Sequence, residues 1–167
     1  MTAPVLDRLV AVEIAGEASA LAERERQVAV RDLLEENRFA LPPRDGRDVH
    51  GPYRLRLAVR DRRLVFAVEG AAGETAAEFH LSLGPFRQVV KDYVQILHSY
   101  DEAVTAASPA RVEAIDMARR GIHDEGARVL QERLDGKASF DRATARRLFT
   151  LICALHPDGP GSAGPGA

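Results

Sequence analysis

Leu6, Val10, Val12 and Ile14 fall on one side of the first patterned stretch, and Leu9 and Ala11 on the other. That alternation predicts a strand partly covered on both faces, ended by Gly16. A helix is expected from Ser19 to Asn37. Its first half is polar (Glu23, Arg24, Glu25, Arg26), and its second half turns Val28, Leu33 and Leu34 towards a core. From Phe39 to Pro52 the density of Pro and Gly predicts a loop. Tyr53, Leu55, Leu57 and Val59 then alternate with Arg54, Arg56 and Arg60, the pattern of a half-buried strand with a basic outer face. Asp61-Arg62 is a tight turn without the usual glycine. Leu64, Phe66 and Val68 form the return strand, and after Gly70–Gly73 a third strand carries Ala77, Phe79, Leu81 and Leu83 inward. Three strands on short connections predict an antiparallel meander.

The period changes at Gly84-Pro85. Phe86, Val89, Val90, Tyr93, Ile96, Leu97, Tyr100 and Val104 recur at three and four residues, as on one face of a helix. Ser108 is placed to cap the next helix, with Pro109 in its first turn and Gly136 at its end. Asp141 is placed to cap a last helix whose stripe is Leu148, Phe149, Ile152 and Leu155, and Pro157 stops it. The expected fold is α+β: a small antiparallel sheet, made of the meander plus an N-terminal strand, packed against about four helices, the last three consecutive. One domain is expected over residues 5–156, with a disordered Pro/Gly-rich tail over 157–167.

Composition narrows the function classes without choosing one. The 167 residues are 46% hydrophobic and 29% charged with a formal net charge of −2, so the molecule has no overall basic excess for a polyanion. The single cysteine, Cys153, excludes an intramolecular disulfide and suits a reducing, cytoplasmic setting. No secretory leader pattern and no membrane-length apolar run is present. The five histidines have no ligand spacing, and there is no nucleotide-binding glycine loop or nucleophile elbow. No metal, cofactor or catalytic residue is therefore expected, and the reading leans away from an enzyme.

The helix from Pro109 holds the densest chemistry. At about 100° per residue, Asp116, Arg119, His123 and Gly126 share an arc with Ile115, Ala118, Ile122 and Leu130, with Arg120 at its border. Charged groups on a core-side face need partners. One expectation is a polar clamp onto the preceding helix through Lys91, Asp92 or His98, in which Arg119→Ala would cost about 2 kcal/mol by stranding Asp116. The other is a cleft in which Arg119, Arg120, Lys91 and His123 hold a phosphate or carboxylate. Gly121 and Gly126, inside the same helix, call for close packing or a bend. A further reading is RNA binding by the arginines of hairpin 53–69; the neighbouring Glu69, Glu74 and Glu78 weigh against it.

Several strings, in order, carry a resemblance: Gly51-Pro-Tyr53, Leu81-Ser-Leu-Gly-Pro-Phe-Arg87, Val90-Lys-Asp-Tyr93, Glu113-Ala-Ile-Asp-Met-Ala-Arg-Arg-Gly121 and Thr144-Ala-Arg-Arg-Leu-Phe-Thr-Leu-Ile-Cys153. Together they resemble the bacterial Uncharacterised Protein Family 0262 over residues Leu9 to His156. The chain departs from that pattern at Ala118 and Asp124, where the resemblance implies Gly and Asn. It implies a bacterial cytoplasmic protein and no particular activity. With two amphipathic helices beside a small sheet, a non-enzymatic protein acting through a protein partner or self-association is the first functional expectation. Small-anion binding is the second.

Overall fold

A computed structural model describes residues 6–15, 20–42, 50–106 and 108–160. Gly16, Ser19, most of the Pro/Gly-rich loop (43–49) and the tail beyond Pro160 lie outside the described residues. The elements are β1 (Leu9–Ile14), α1 (Ala20–Glu35), β2 (Phe39–Ala40), β3 (Tyr53–Arg60), β4 (Arg63–Glu69), β5 (Thr75–Ser82), α2 (Arg87–Thr105), α3 (Pro109–Arg133), β6 (Ser139–Phe140) and α4 (Arg142–Leu155). The fold is α+β, and its last three helices are consecutive.

The meander is present as β3, β4 and β5, and β1 completes a four-stranded sheet in the order β1-β3-β4-β5. The sheet is mixed, because β1 lies parallel to β3. Parallel strands need a long crossover, and α1 supplies it. Alternation along β1 does not run through unbroken either. The register shifts between Leu9 and Ala11, so Leu9, Val12 and Ile14 join the core side while Val10 is left 38% exposed. An extra residue in a strand moves every later side chain to the other face. Phe39 and Ala40 pair with Phe140 and Ser139, placing a short two-stranded ribbon where only loop is expected from the sequence.

The inner sheet face is apolar: Leu9, Tyr53, Leu55, Leu57, Leu64, Phe66, Val68, Phe79 and Leu81 are buried. The helices cover that face, α1 packing on α4, α2 on α3 and α3 on α4. Arg54, Arg56 and Arg60 point outward among acids: Arg56 binds Glu13 at 2.9 Å, Arg60 approaches Glu78 at 3.7 Å, and Arg54 lies opposite Glu69. Two arginines of the basic strip, Arg56 and Arg60, are thus cross-paired with acids of neighbouring strands.

Helix ends follow local chemistry. Asp141 caps α4 by accepting from the Thr144 N–H at 3.0 Å. Ser108 occupies the cap position of α3, but its side chain makes no capping bond. α3 ends at Arg133, and Gly136 takes a left-handed φ of 78° in the following turn. Past α4, residues 157–160 make a turn that lays buried Gly159 against the Cys153 carbonyl. No helix among the described residues is long and apolar enough to cross a membrane.

Candidate functional site

Three helices meet in one aromatic cluster. Tyr93 of α2, His123 of α3 and Phe149 of α4 meet edge to face, with ring centroids 5.1 Å (Tyr93–His123), 5.9 Å (His123–Phe149) and 6.3 Å (Tyr93–Phe149) apart. Gly126 permits this meeting. A Cβ there would sit 2.5 Å from the Phe149 ring, so only glycine lets α3 come so close. Gly121, by contrast, faces open space. One glycine of the pair serves packing and the other does not.

A buried tyrosine must find a partner for its hydroxyl. Tyr93 donates to Glu25 Oε2 of α1 at 2.5 Å. Burial, reinforced by that hydrogen bond and the carboxylate's charge, pushes the phenol far above its ordinary range. Tyr93 is therefore a fixed donor. Outside this contact the helices leave a cleft of about 370 Å³. Its walls are Arg24, Glu25, Val28, Ala29 and Asp32 of α1, Tyr93, Arg119, and Arg147 and Thr150 of α4. Val28, expected in the core, is 47% exposed and forms part of this wall. A second depression, about 240 Å³, lies between His123 and Arg146 and shares Arg147 and Thr150 with the first.

The charges in the cleft are unequally engaged. Arg147 Nη1 donates to the Glu36 carbonyl at 2.7 Å, and Asp32 lies 3.8 Å from Arg31. Arg119 is half-buried and has no acidic partner within ion-pair distance among the described residues. The carbonyl of Arg119 accepts from His123 Nδ1 at 2.9 Å. Because a carbonyl only accepts, His123 carries its proton on Nδ1, and the neutral ring leaves Nε2 as an acceptor. Burial lowers the imidazole pKa; the carbonyl opposes that, and the charges of Arg119 and Arg146 add to it.

The residues expected on this helix therefore separate. Arg119 enters the main cleft and His123 the second depression. Arg120 and Lys91 are exposed. Asp92 accepts from Gln88 Nε2 on its own helix at 3.0 Å. Asp116 is half-buried and makes no ion pair with Arg119 among the described residues, so removing Arg119 does not strand it. Ala118 is exposed rather than in the core arc, since the buried stripe of α3 is the narrower set Ile115, Gly126, Ala127 and Leu130, continued by Leu134 just past its end. Asp124, a departure from the family pattern, lies 3.5 Å from Arg146 of α4.

Sequence reasoning does not reach Glu25, Arg24, Arg147 or Thr150. A signal for Glu25 does exist: Glu25, Ala29 and Leu33 follow one another at four-residue steps, and the latter two are buried. An acid on a buried stripe marks a partner across the helix interface.

Comparison with known proteins places these features in a family. The model of an Uncharacterised protein family (UPF0262) matches residues 6–158. A UPF0262 protein of Ruegeria pomeroyi is 68% identical over 135 residues, covering 80% of this chain and 84% of its own length. One from Cereibacter sphaeroides is also 68% identical over 135 residues, and one from Roseobacter denitrificans 67%, each alignment covering 80% of this chain and 85% of the relative. No solved structure matches the chain. With its aligned span running from β1 through the whole four-helix cleft, the chain belongs to the UPF0262 family.

Proposed function

We propose that the cleft between α1, α2, α3 and α4 binds a small anion, a carboxylate or a phosphate, through Arg119. The observation that carries this reading is the half-buried Arg119 guanidinium facing a roomy cleft without an acid of its own. A guanidinium taken partly out of water is poorly compensated unless an anion joins it, and its planar fork suits a bidentate oxyanion. Arg24 of α1, which also lines the cleft, adds positive charge. The cleft's size falls at the lower end of the roughly 300–1,000 Å³ of small-molecule sites.

The other expected partners have less support. Outside the cleft, the exposed large apolar side chains among the described residues are Leu6 and Val10 at the N-terminal strand, Val104 on α2 and Met117 on α3, and scattered exposed apolar residues are ordinary. Cross-pairing of Arg56 and Arg60 with Glu13 and Glu78 leaves less cationic surface for RNA. A cytoplasmic setting is supported by the single cysteine, Cys153, which is buried and has no second cysteine in the chain to pair with.

Calorimetry with inorganic phosphate and with short carboxylates tests the reading, comparing the natural protein with Arg119→Met. Loss of a charge-assisted hydrogen bond is worth about 1.5–3 kcal/mol, so the variant should bind about 10- to 100-fold more weakly while remaining as stable as the parent. Equal binding by both proteins, or binding by neither, overturns it.

A further inference from the structure

We infer that the ligand of this cleft is a small zwitterion, an aliphatic α-amino acid or a close analogue, held with its carboxylate on Arg119 and its ammonium on Glu25. The inference rests on the anion-binding reading above and adds the opposite charge to it. Glu25 and Arg119 line the same cleft, yet they form no ion pair with each other among the described residues. They share the cleft and stay apart, and neither has an ion-pair partner among the described residues, so each half-buried charge is left uncompensated. A ligand with both charges supplies the two at once, and a simple anion supplies one.

The acceptor geometry agrees. Glu25 receives the Tyr93 hydroxyl on Oε2, which fixes the carboxylate in place and leaves Oε1 with no acceptor role among the described residues. Three ammonium hydrogens require acceptors; Glu25 Oε1 is a charged one, the Tyr93 oxygen keeps a lone pair after donating its proton to Glu25, and a guanidinium offers none. Val28 and Ala29, on the α1 wall next to Glu25, give an apolar surface suited to an aliphatic side chain. Val28 is nearly half exposed in a helix face that otherwise turns its apolar residues inward, and such a ligand would cover it. The Thr150 hydroxyl is already donated to the Arg146 carbonyl at 3.2 Å, which leaves its lone pairs, not its proton, towards the cleft.

The test removes one ligand charge at a time. Full-length protein is titrated calorimetrically with L-leucine, L-valine and L-isoleucine, then with the carboxylic acids lacking the amino group and the amines lacking the carboxyl group. At least one amino acid should bind tenfold or more tighter than both of its single-charge analogues. Glu25→Gln, which keeps an oxygen for the Tyr93 hydroxyl, should bring that amino acid to the affinity of its deamino acid and leave the deamino acid unchanged. If the acids or inorganic phosphate bind as well as the amino acids, the zwitterion inference falls and the anion reading stands. If the amines bind best, or if nothing binds, both fall.

Discussion

Gly126 and Gly121 lie five positions apart in one helix and differ in what surrounds them. At Gly121 nothing lies within 4 Å of the place a methyl group would take, so Gly121→Ala should raise stability by about 0.5–1 kcal/mol through helix propensity and a less free unfolded chain. At Gly126 the same methyl would strike the Phe149 ring, which is itself held by Tyr93 and His123. Gly126→Ala should therefore lower stability by about 1–3 kcal/mol despite the better helix former. Urea unfolding of the two variants, followed by circular dichroism, reads both signs directly. Two stabilising substitutions, or two neutral ones, would contradict the close approach of α3 to α4. Both glycines stand out in the sequence as helix-interior residues; only Phe149, 23 positions beyond Gly126, separates their roles.

At the scale of the element, the hairpin joining β3 and β4 turns on Asp61 and Arg62, both with left-handed backbones (φ 51° and 61°). That is the geometry of a two-residue turn matched to strand twist, and it suits Asn-Gly better than Asp-Arg. Replacing Arg62 by Gly should stabilise the protein by about 1 kcal/mol, seen as a higher melting temperature; an unchanged or lower one would show that the side chain has a role in the turn. At the start of α4, Asp141→Ala should cost about 1 kcal/mol by removing the acceptor for Thr144 N–H. The cap and the turn are both legible from local residue types. The parallel pairing of β1 and the β2–β6 ribbon are not, since each joins segments far apart in the chain: Leu9 to Tyr53, and Phe39 to Phe140.

For the whole molecule, two histidines couple stability to pH. His156, 3% exposed, accepts from the Asp158 N–H on Nδ1 at 3.0 Å, so its proton sits on Nε2, which makes no hydrogen bond of good geometry. Burial lowers its pKa; the Leu83 backbone and Asp158 oppose this, and Arg87 adds to it. The His123 pKa is lowered as well, again chiefly by burial. A base whose folded pKa lies below its unfolded value binds more protons when unfolded, so stability rises with pH across that interval. Their contribution is complete above the unfolded value of about 6.5 and is lost as pH falls from there through the lowered folded values. The melting temperature should therefore drop progressively below about pH 6.5. His156→Gln, whose side-chain oxygen can still accept from Asp158, should reduce the slope. An unaltered slope would move the coupling to other groups.

The amphipathic periods and breakers of this chain suffice to place the meander, α2 and α4, because hydrophobic spacing and end-capping act within a few residues. They also bring Arg119 and His123 forward as charged groups on a helix with a buried side. What those residues face is a matter of packing. Whether Arg119 meets Asp116 or a cleft depends on where α1 and α4 lie, and the crossing of α3 over α4 is set by the fit of Gly126 against Phe149. Glu25 meets Tyr93 across 68 residues of chain, a contact that no local period encodes. Local chemistry thus determines the elements and their ends, and the tertiary structure alone decides which side chains share a site, since a site is made of distances between residues that the sequence keeps apart.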